Sequence, residues 1–345
     1  MSRTAPKEFN LLHKESFAAV SSPHITSGET VRDIMLDVMI ALLPTLGVST
    51  YFFGPRVLIL TAVAMASCVF FEFLYRLLMK KHQSVGDLSA CVTGMLLAMC
   101  LPVTVPYWIP VVGAFFSIVV VKQLYGGLGK NFMNPALAGR VFLLSFPALM
   151  NNWAAAGTDF WPGLGMTAEA TSAVTPLSDL HRGIIPNLNL SELFVGAHSG
   201  NMGEVSSVAL LLGGIYLICR KVISPRIPFF YIGTVALLTW LFPLNGNDPV
   251  EWMLCHLLSG GLLLGAFFMA TDCVTSPVTP LGQILFAIGC GGLTVFLRYF
   301  GAFPEGVFFA ILIMNIFTCL LDKTGLPRRF GTRPFQSRRK GGGAA

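Results

Sequence analysis

Charge is scarce in this chain: only 12% of its 345 residues are Asp, Glu, Lys or Arg, where a soluble domain carries about 25%. With 54% hydrophobic residues, it has too little polar surface for water and reads as a polytopic membrane protein. No apolar signal-peptide core precedes the first long apolar run; Lys7, Glu8, Lys14 and Glu15 stand there instead. All eight cysteines fall within or at the edge of apolar runs and none forms a CxxC pair. That spacing gives no disulfide framework or iron–sulfur motif, and the thiols read as small buried hydrophobes. The six histidines lack a partner at the helical spacing that haem or zinc would need, and a cluster shared with another subunit stays open. The run Gly126-Gly127-Leu128-Gly129-Lys130 lacks the spacing of a phosphate loop. The net charge of +6 sits at the ends of apolar runs, a topology signal rather than a nucleic-acid footprint.

What the chain has is length of apolar sequence. About 20 apolar residues of helix cross a hydrocarbon core, and ten candidate spans follow: 34–53, 57–78, 87–104, 107–124, 135–150, 206–221, 227–244, 251–270, 281–300 and 304–322. Several are cut by Gly and Pro, at Leu101-Pro102-Val103-Thr104-Val105-Pro106, before Pro135, and at Ser259-Gly260-Gly261. Non-helical backbone survives at membrane depth only when buried in protein or lining a cavity, so the breaks predict an interior site. They also echo one another. Thr93-Gly94-Met95 is matched by Ser259-Gly260-Gly261, Val103-Thr104-Val105-Pro106 by Val274-Thr275-Ser276-Pro277, and Tyr125-Gly126-Gly127 by Tyr299-Phe300-Gly301. The expected fold is therefore all-α, with ten transmembrane helices in two inverted five-helix repeats.

Lys and Arg set the orientation. With the N-terminus in the cytoplasm, only Arg56, Arg182 and Arg298 of the 23 basic residues fall outside. The expected organisation is a cytoplasmic segment 1–33, a first repeat 34–150, an extracytoplasmic loop 151–204, a second repeat 205–322 and a basic cytoplasmic tail 323–345. The loop is the longest polar stretch between apolar runs. In it, Thr175-Pro176 reads on its own terms as a helix start, a threonine cap followed by proline. Among acidic residues near the spans, Glu72 can pair with Arg76, Asp87 can cap its helix, and Asp322 lies at the interface, whereas Asp37 and Asp272 lack such reasons. Asp37, Glu72 and Asp272 are the candidates for an ion pathway.

Several motifs carry a resemblance. They are Ser21-Ser22-Pro23-His24, the run from Lys122 through Asn131, Asn134-Pro135-Ala136, Leu264-Gly265-Ala266-Phe267-Phe268 through Asp272, and Ser172-Ala173-Val174-Thr175-Pro176-Leu177. Over about residues 20–330 the chain resembles the D subunits of Rnf-type ion-translocating ferredoxin:NAD oxidoreductases. It is more distantly similar to the B subunits of sodium-pumping NADH:quinone oxidoreductases. In that family a loop motif S-G-A-T-P-L, after an acidic residue, takes FMN as a phosphoester on its threonine. The resemblance implies covalent FMN on Thr175, with Ser172, Pro176 and Leu177 around it, attached by a flavin transferase. Ala173, Val174 and Glu169 replace the usual Gly, Ala and Asp, and Thr171 or Ser172 is the fallback hydroxyl. It also implies a non-covalent riboflavin within the membrane, near 126–134 and 259–272, with Gly127, Asn131, Asn134 and Asp272 as its surroundings. Cys273 stands where the family's T-D-P-V pattern has proline.

The implied function is that of a redox subunit in the cell membrane of a prokaryote, assembled with other Rnf subunits and linked to Na+ or H+ movement. No catalytic residue and no metal ligand is expected. A secondary transporter also fits inverted repeats with broken helices, and a cofactor-free scaffold subunit is a third reading. An oxidised-flavin absorption spectrum that survives denaturation separates the first from the others.

Overall fold

The computed structural model describes residue 28 and residues 30–154 and 174–325, and every regular element among them is helical. The first half runs α1 (Val31–Phe53), α2 (Arg56–Leu78), α3 (Ser89–Met99), α4 (Trp108–Phe115), α5 (Pro135–Leu143) and α6 (Pro147–Met150). Two short helices follow, α7 (Pro176–His181) and α8 (Leu190–Val195). The second half holds α9 (Ser207–Cys219), α10 (Arg226–Leu241), α11 (Pro249–Leu258), α12 (Leu262–Leu264), α13 (Pro280–Phe300) and α14 (Gly306–Gly325). Helix α4 continues to Gln123, and α12 to Met269, as wider π-helical turns.

Helix starts follow from local chemistry. In Asn134-Pro135, Thr175-Pro176, Asp248-Pro249 and Thr279-Pro280 the residue before proline accepts a backbone N–H of the first turn, from Ala136, Ser178, Val250 and Gly282. Proline has no N–H to lose at the first helical position, and the side-chain oxygen satisfies one of the orphan donors. Thr30 and Asp33 form a reciprocal capping box at the head of α1.

Helices α1, α2, α13 and α14 are each long and apolar enough to cross a membrane, and α11 with α12 passes the same test as one span bent by 62°. The chain is a multi-pass membrane protein. Large apolar side chains face outward, among them Leu43, Leu58, Phe70, Phe296 and Leu320, while Asp37, Glu72, Lys122, Arg140 and Arg298 are buried. Lipid tolerates that arrangement because its hydrocarbon welcomes Leu and Phe and penalises charge.

Two expected spans are shorter than the apolar run that suggested them, and a third is bent. The run 87–104 is helical only over Ser89–Met99, since the carbonyls of Met99 and Leu101 are taken by Gly203 N at 2.7 Å and Met202 N at 3.0 Å. The run 135–150 splits at Pro147, which has no N–H for the carbonyl of Leu143. The run 251–270 bends at Ser259-Gly260-Gly261, where Gly260 has φ +69, a conformation that favours glycine. Helix α3 then lies tight on α2: a Cβ at Gly94 would come 2.6 Å from the Met65 Cα.

Candidate functional site

The interrupted helices meet in two polar places. One is a cavity whose empty space, counted together with the open solvent at its mouth, is about 730 Å3. Its walls include Met35 and Val38 of α1, Asn131 and Asn134 before α5, Phe267 and Phe268 of the π-helical turn, and Asp272. Asn134 holds the two halves together there, donating from Nδ2 to the Met269 carbonyl at 3.3 Å. Asp272 lies past the end of the bent span, and its carboxylate accepts from the Thr275 hydroxyl at 3.0 Å. Burial raises its pKa, opposed by that hydroxyl and by the N–H groups of Val274 and Cys273. Among the described residues the buried Asn131 Oδ1 has no partner, and Asn131 lines the cavity.

Lys122 reaches the same cavity from the end of the π-helical part of α4. Its Nζ lies 2.6 Å from Glu72 Oε2 and 2.6 Å from Ser89 Oγ. Glu72 also accepts a short hydrogen bond from Ser84 and lies 3.8 Å from Arg76 Nε. The expected Glu72–Arg76 pairing is present, but the closer ionic partner is Lys122.

The second place is a small recess walled by Thr175, Pro176, Leu177, His198, Ser199, Gly200, Glu204, Gly260 and Glu305. Thr175 is 7% exposed, and its Oγ1 accepts the Ser178 N–H at 3.3 Å as the cap of α7. Leu177 packs on the bend of the broken span: a Cβ at Gly260 would lie 2.8 Å from Leu177 Cδ2. Beneath, Arg140 Nη2 pairs with Glu305 Oε2 at 2.7 Å. Arg298 donates to the carbonyls of His256 at 2.6 Å and Ser259 at 3.1 Å.

The cavity and the recess lie toward opposite ends of α1. Ile34 and Met35 line the cavity, whereas Ser49 donates a short hydrogen bond to the Met202 carbonyl beside the recess loop. The fifteen helical steps from Ile34 to Ser49 span about 22 Å.

The structure thus brings Asn131, Asn134 and Asp272 into one cavity, and Thr175, Pro176 and Leu177 into one recess. Gly127 stands apart from the cavity, with φ +93 and its face on Arg76, whose Nη2 would be 2.7 Å from an added Cβ. Ser172, the fallback Thr171, and Glu169 lie outside the described residues. Asp37 is tied to Arg220 at 3.1 Å and to the Tyr216 hydroxyl at 2.8 Å, so its burial has a structural reason. Asp87 caps α3 by accepting the Ser89 N–H at 2.9 Å. Sequence reasoning passed over Lys122 and Arg140 as site residues. A lone basic residue inside an apolar run was the available signal, but their partners lie 50 and 165 residues away.

Residues 18–331 match the family described as NQR2, RnfD, RnfE. The chain belongs to that family. It is 45% identical over 324 residues to the D subunit of the Na(+)-translocating ferredoxin:NAD(+) oxidoreductase complex of Acetobacterium woodii, covering 93% of this chain and 97% of that one. It is 39% identical over 341 residues to the D subunit of the proton-translocating ferredoxin:NAD(+) oxidoreductase complex of Clostridium ljungdahlii, covering 93% and 98%. With the D subunit of the ion-translocating oxidoreductase complex of Stutzerimonas stutzeri it shares 40% over 330 residues, covering 88% and 92%. Family membership extends across both polar places and the helices that frame them.

Proposed function

We propose that this chain is the membrane subunit of an ion-translocating electron-transfer complex and holds flavin at both polar places. The names of its relatives supply the class, since each is a subunit of an ion-translocating oxidoreductase complex. A subunit works with others, so the chain is part of a redox enzyme and not a complete one. Relatives at 45% and 39% identity are named for sodium and for protons respectively, so the reading specifies no ion.

At the recess, the reading is FMN held as a phosphoester on Thr175, attached by a flavin transferase. The residues suit such a group. The recess offers the Thr175 hydroxyl beside Ser199 and a buried imidazole nitrogen of His198 that has no partner among the described residues. Because Thr175 is buried, the transferase must reach it before α7 docks on the broken span. In the cavity, the reading is riboflavin. Asn131 Oδ1 supplies an acceptor for a ring N–H, Phe267 and Phe268 supply apolar faces, and Asn134 and Asp272 orient the polar edge. Lys122, anchored by Glu72, adds positive potential at the wall. A bound flavin supplies one- and two-electron transfer; the protein supplies position and electrostatics.

The same reading extends to architecture. We take the helices as ten crossings in two inverted repeats, with both termini cytoplasmic, the 151–204 loop outside, and the protein in the cytoplasmic membrane. Two contacts support the repeat. The Met99 carbonyl receives Gly203 N and the Met269 carbonyl receives Asn134 Nδ2, and these methionines stand at the offset of the sequence echoes. Of the acidic candidates for ion passage, Asp37 and Glu72 are held by Arg220 and Lys122. Asp272 forms no ion pair among the described residues, which makes it the position to test.

The observation that carries the reading is the Thr175 hydroxyl at the wall of a polar recess, in a chain of this family. Expressed with the transferase, the wild-type band should fluoresce under ultraviolet light after denaturing electrophoresis. Thr175→Asn keeps a good cap and removes the esterifiable hydroxyl, so its band should be dark. A dark wild-type band overturns covalent attachment, and a bright Thr175→Asn band moves it to Thr171 or Ser172.

A further inference from the structure

Glu204 and Glu305 converge at the base of the Thr175 recess from opposite ends of the second half. Glu204 belongs to the loop between α8 and α9, and Glu305 immediately precedes α14. Asn201 donates from Nδ2 to both, at 2.9 Å to Glu204 Oε1 and 3.0 Å to Glu305 Oε1. One amide nitrogen carries two hydrogens, so each carboxylate takes one and the pair is pinned around a single atom. Glu204 is 5% exposed. Two like charges so close in a buried site do not both ionise, and the pair retains a proton.

The surrounding charges decide which member keeps it. Arg140, from α5, is committed to Glu305 at 2.7 Å. Arg298, from α13, spends its Nη atoms on the carbonyls of His256 and Ser259 and acts on Glu204 only at a distance. Burial first, and then the Glu305 carboxylate, raise the pKa of Glu204 against the opposing pull of Asn201, Arg140 and Arg298. Glu204 is the acid of the pair.

A second observation is independent of the carboxylates. His198 Nδ1 lies 3.1 Å from the Ser199 carbonyl, and a carbonyl only accepts, so Nδ1 carries the hydrogen and Nε2 a bare lone pair. Among the described residues that Nε2 is buried without a partner, in a side chain 4% exposed that lines the same recess. Gly200 lies between the two groups. A Cβ there would sit 3.8 Å from both Cε1 and Nδ1 of His198 and 3.9 Å from Glu204 Oε2. The recess therefore holds, in one lining, the carboxyl pair and an imidazole nitrogen without a partner among the described residues.

We propose that Glu204, Glu305 and His198 form a proton-binding site enclosed beneath Thr175, in which one proton rests on the carboxyl pair. A proton suits the place better than a metal cation, because Asn201 and Arg140 point N–H donors at the carboxylates. Negative charge arriving at Thr175 would favour the protonated form of the pair, so the site can answer an electron with a proton. The site itself does not depend on a flavin being bound.

The test is infrared spectroscopy of the full chain in lipid nanodiscs, in H2O and D2O, on a Thr175→Asn background that carries no esterified flavin. A protonated-carboxyl stretching band, shifted by D2O, should vanish as the pH rises through about 8. It should be missing in Glu204→Gln at every pH. In Glu305→Gln, which removes the like charge, its midpoint should fall by about one unit or more. Sodium ions should leave the titration unchanged. An identical band in wild type and Glu204→Gln overturns the site, and a midpoint displaced by sodium overturns its assignment to protons. Should Glu204→Gln fail to accumulate, Glu204→Asp keeps the acid and must displace the band; an unmoved band is again fatal. Loss of flavin fluorescence in the wild type bears on the covalent reading and leaves these outcomes as they are.

Discussion

At the scale of single residues, Thr175 has two separable jobs. Its oxygen caps α7, and in our reading its hydroxyl carries FMN. Thr175→Ala should lose both, with the cap worth about 1 kcal/mol, whereas Thr175→Asn should lose the flavin alone. Melting curves of the two variants without transferase check this, and equal stabilities would remove the cap from the account. Glu204 predicts a pH dependence. Its folded pKa, pushed up to about 8 by burial and Glu305, exceeds the about 4.3 of an unfolded glutamate. Between those values the folded state binds the proton more tightly, so stability falls as pH rises. Wild type should lose thermal stability relative to Glu204→Gln between about pH 5 and pH 8, and parallel curves would contradict the raised value. The Thr-Pro cap was legible in the sequence because it is local. The carboxyl pair was not, because 100 residues of chain lie between its members and only folding places both on Asn201.

Helices fail or hold through their contacts, and two substitutions probe them. Gly94→Ala drives a methyl into the α2 backbone at Met65 and should destabilise by about 1–3 kcal/mol. The same change at Gly292, where nothing lies within 4 Å of an added Cβ, should be near neutral or slightly stabilising. Lys122→Met leaves Glu72 buried without its closest cation and should cost about 3–5 kcal/mol. Adding Glu72→Gln should recover part of that loss, and a double variant no better than Lys122→Met would show that the pair is not coupled. Apolar length foretold where helices run, but not where they stop. The run 87–104 ends early because Met202 and Gly203 capture its carbonyls, a competition invisible within the run itself.

For the whole molecule, the arrangement of Lys and Arg predicts that the 151–204 loop is extracytoplasmic. With the exposed Cys219, Cys273 and Cys319 replaced by serine, Ser191→Cys should react with a membrane-impermeant thiol reagent in intact cells. Reaction only after permeabilisation would reverse the orientation and move the Thr175 recess to the inside.

The sequence by itself determined the solvent and the element type, since 12% charge and long apolar runs leave helices in lipid as the way to satisfy the backbone. Its motifs determined the family, and the stretch from Asn131 to Asn134 and the residue Asp272 marked the cavity. Tertiary structure alone decided which charges are neutralised. Lys122 meets Glu72, Arg140 meets Glu305 and Arg220 meets Asp37 across distances in sequence that no periodicity encodes. It also decided that Thr175, Glu204, Glu305 and His198 share one recess. Burial in a medium of low polarity makes each isolated charge costly, so the packing that brings partners together settles which polar groups stay free to act.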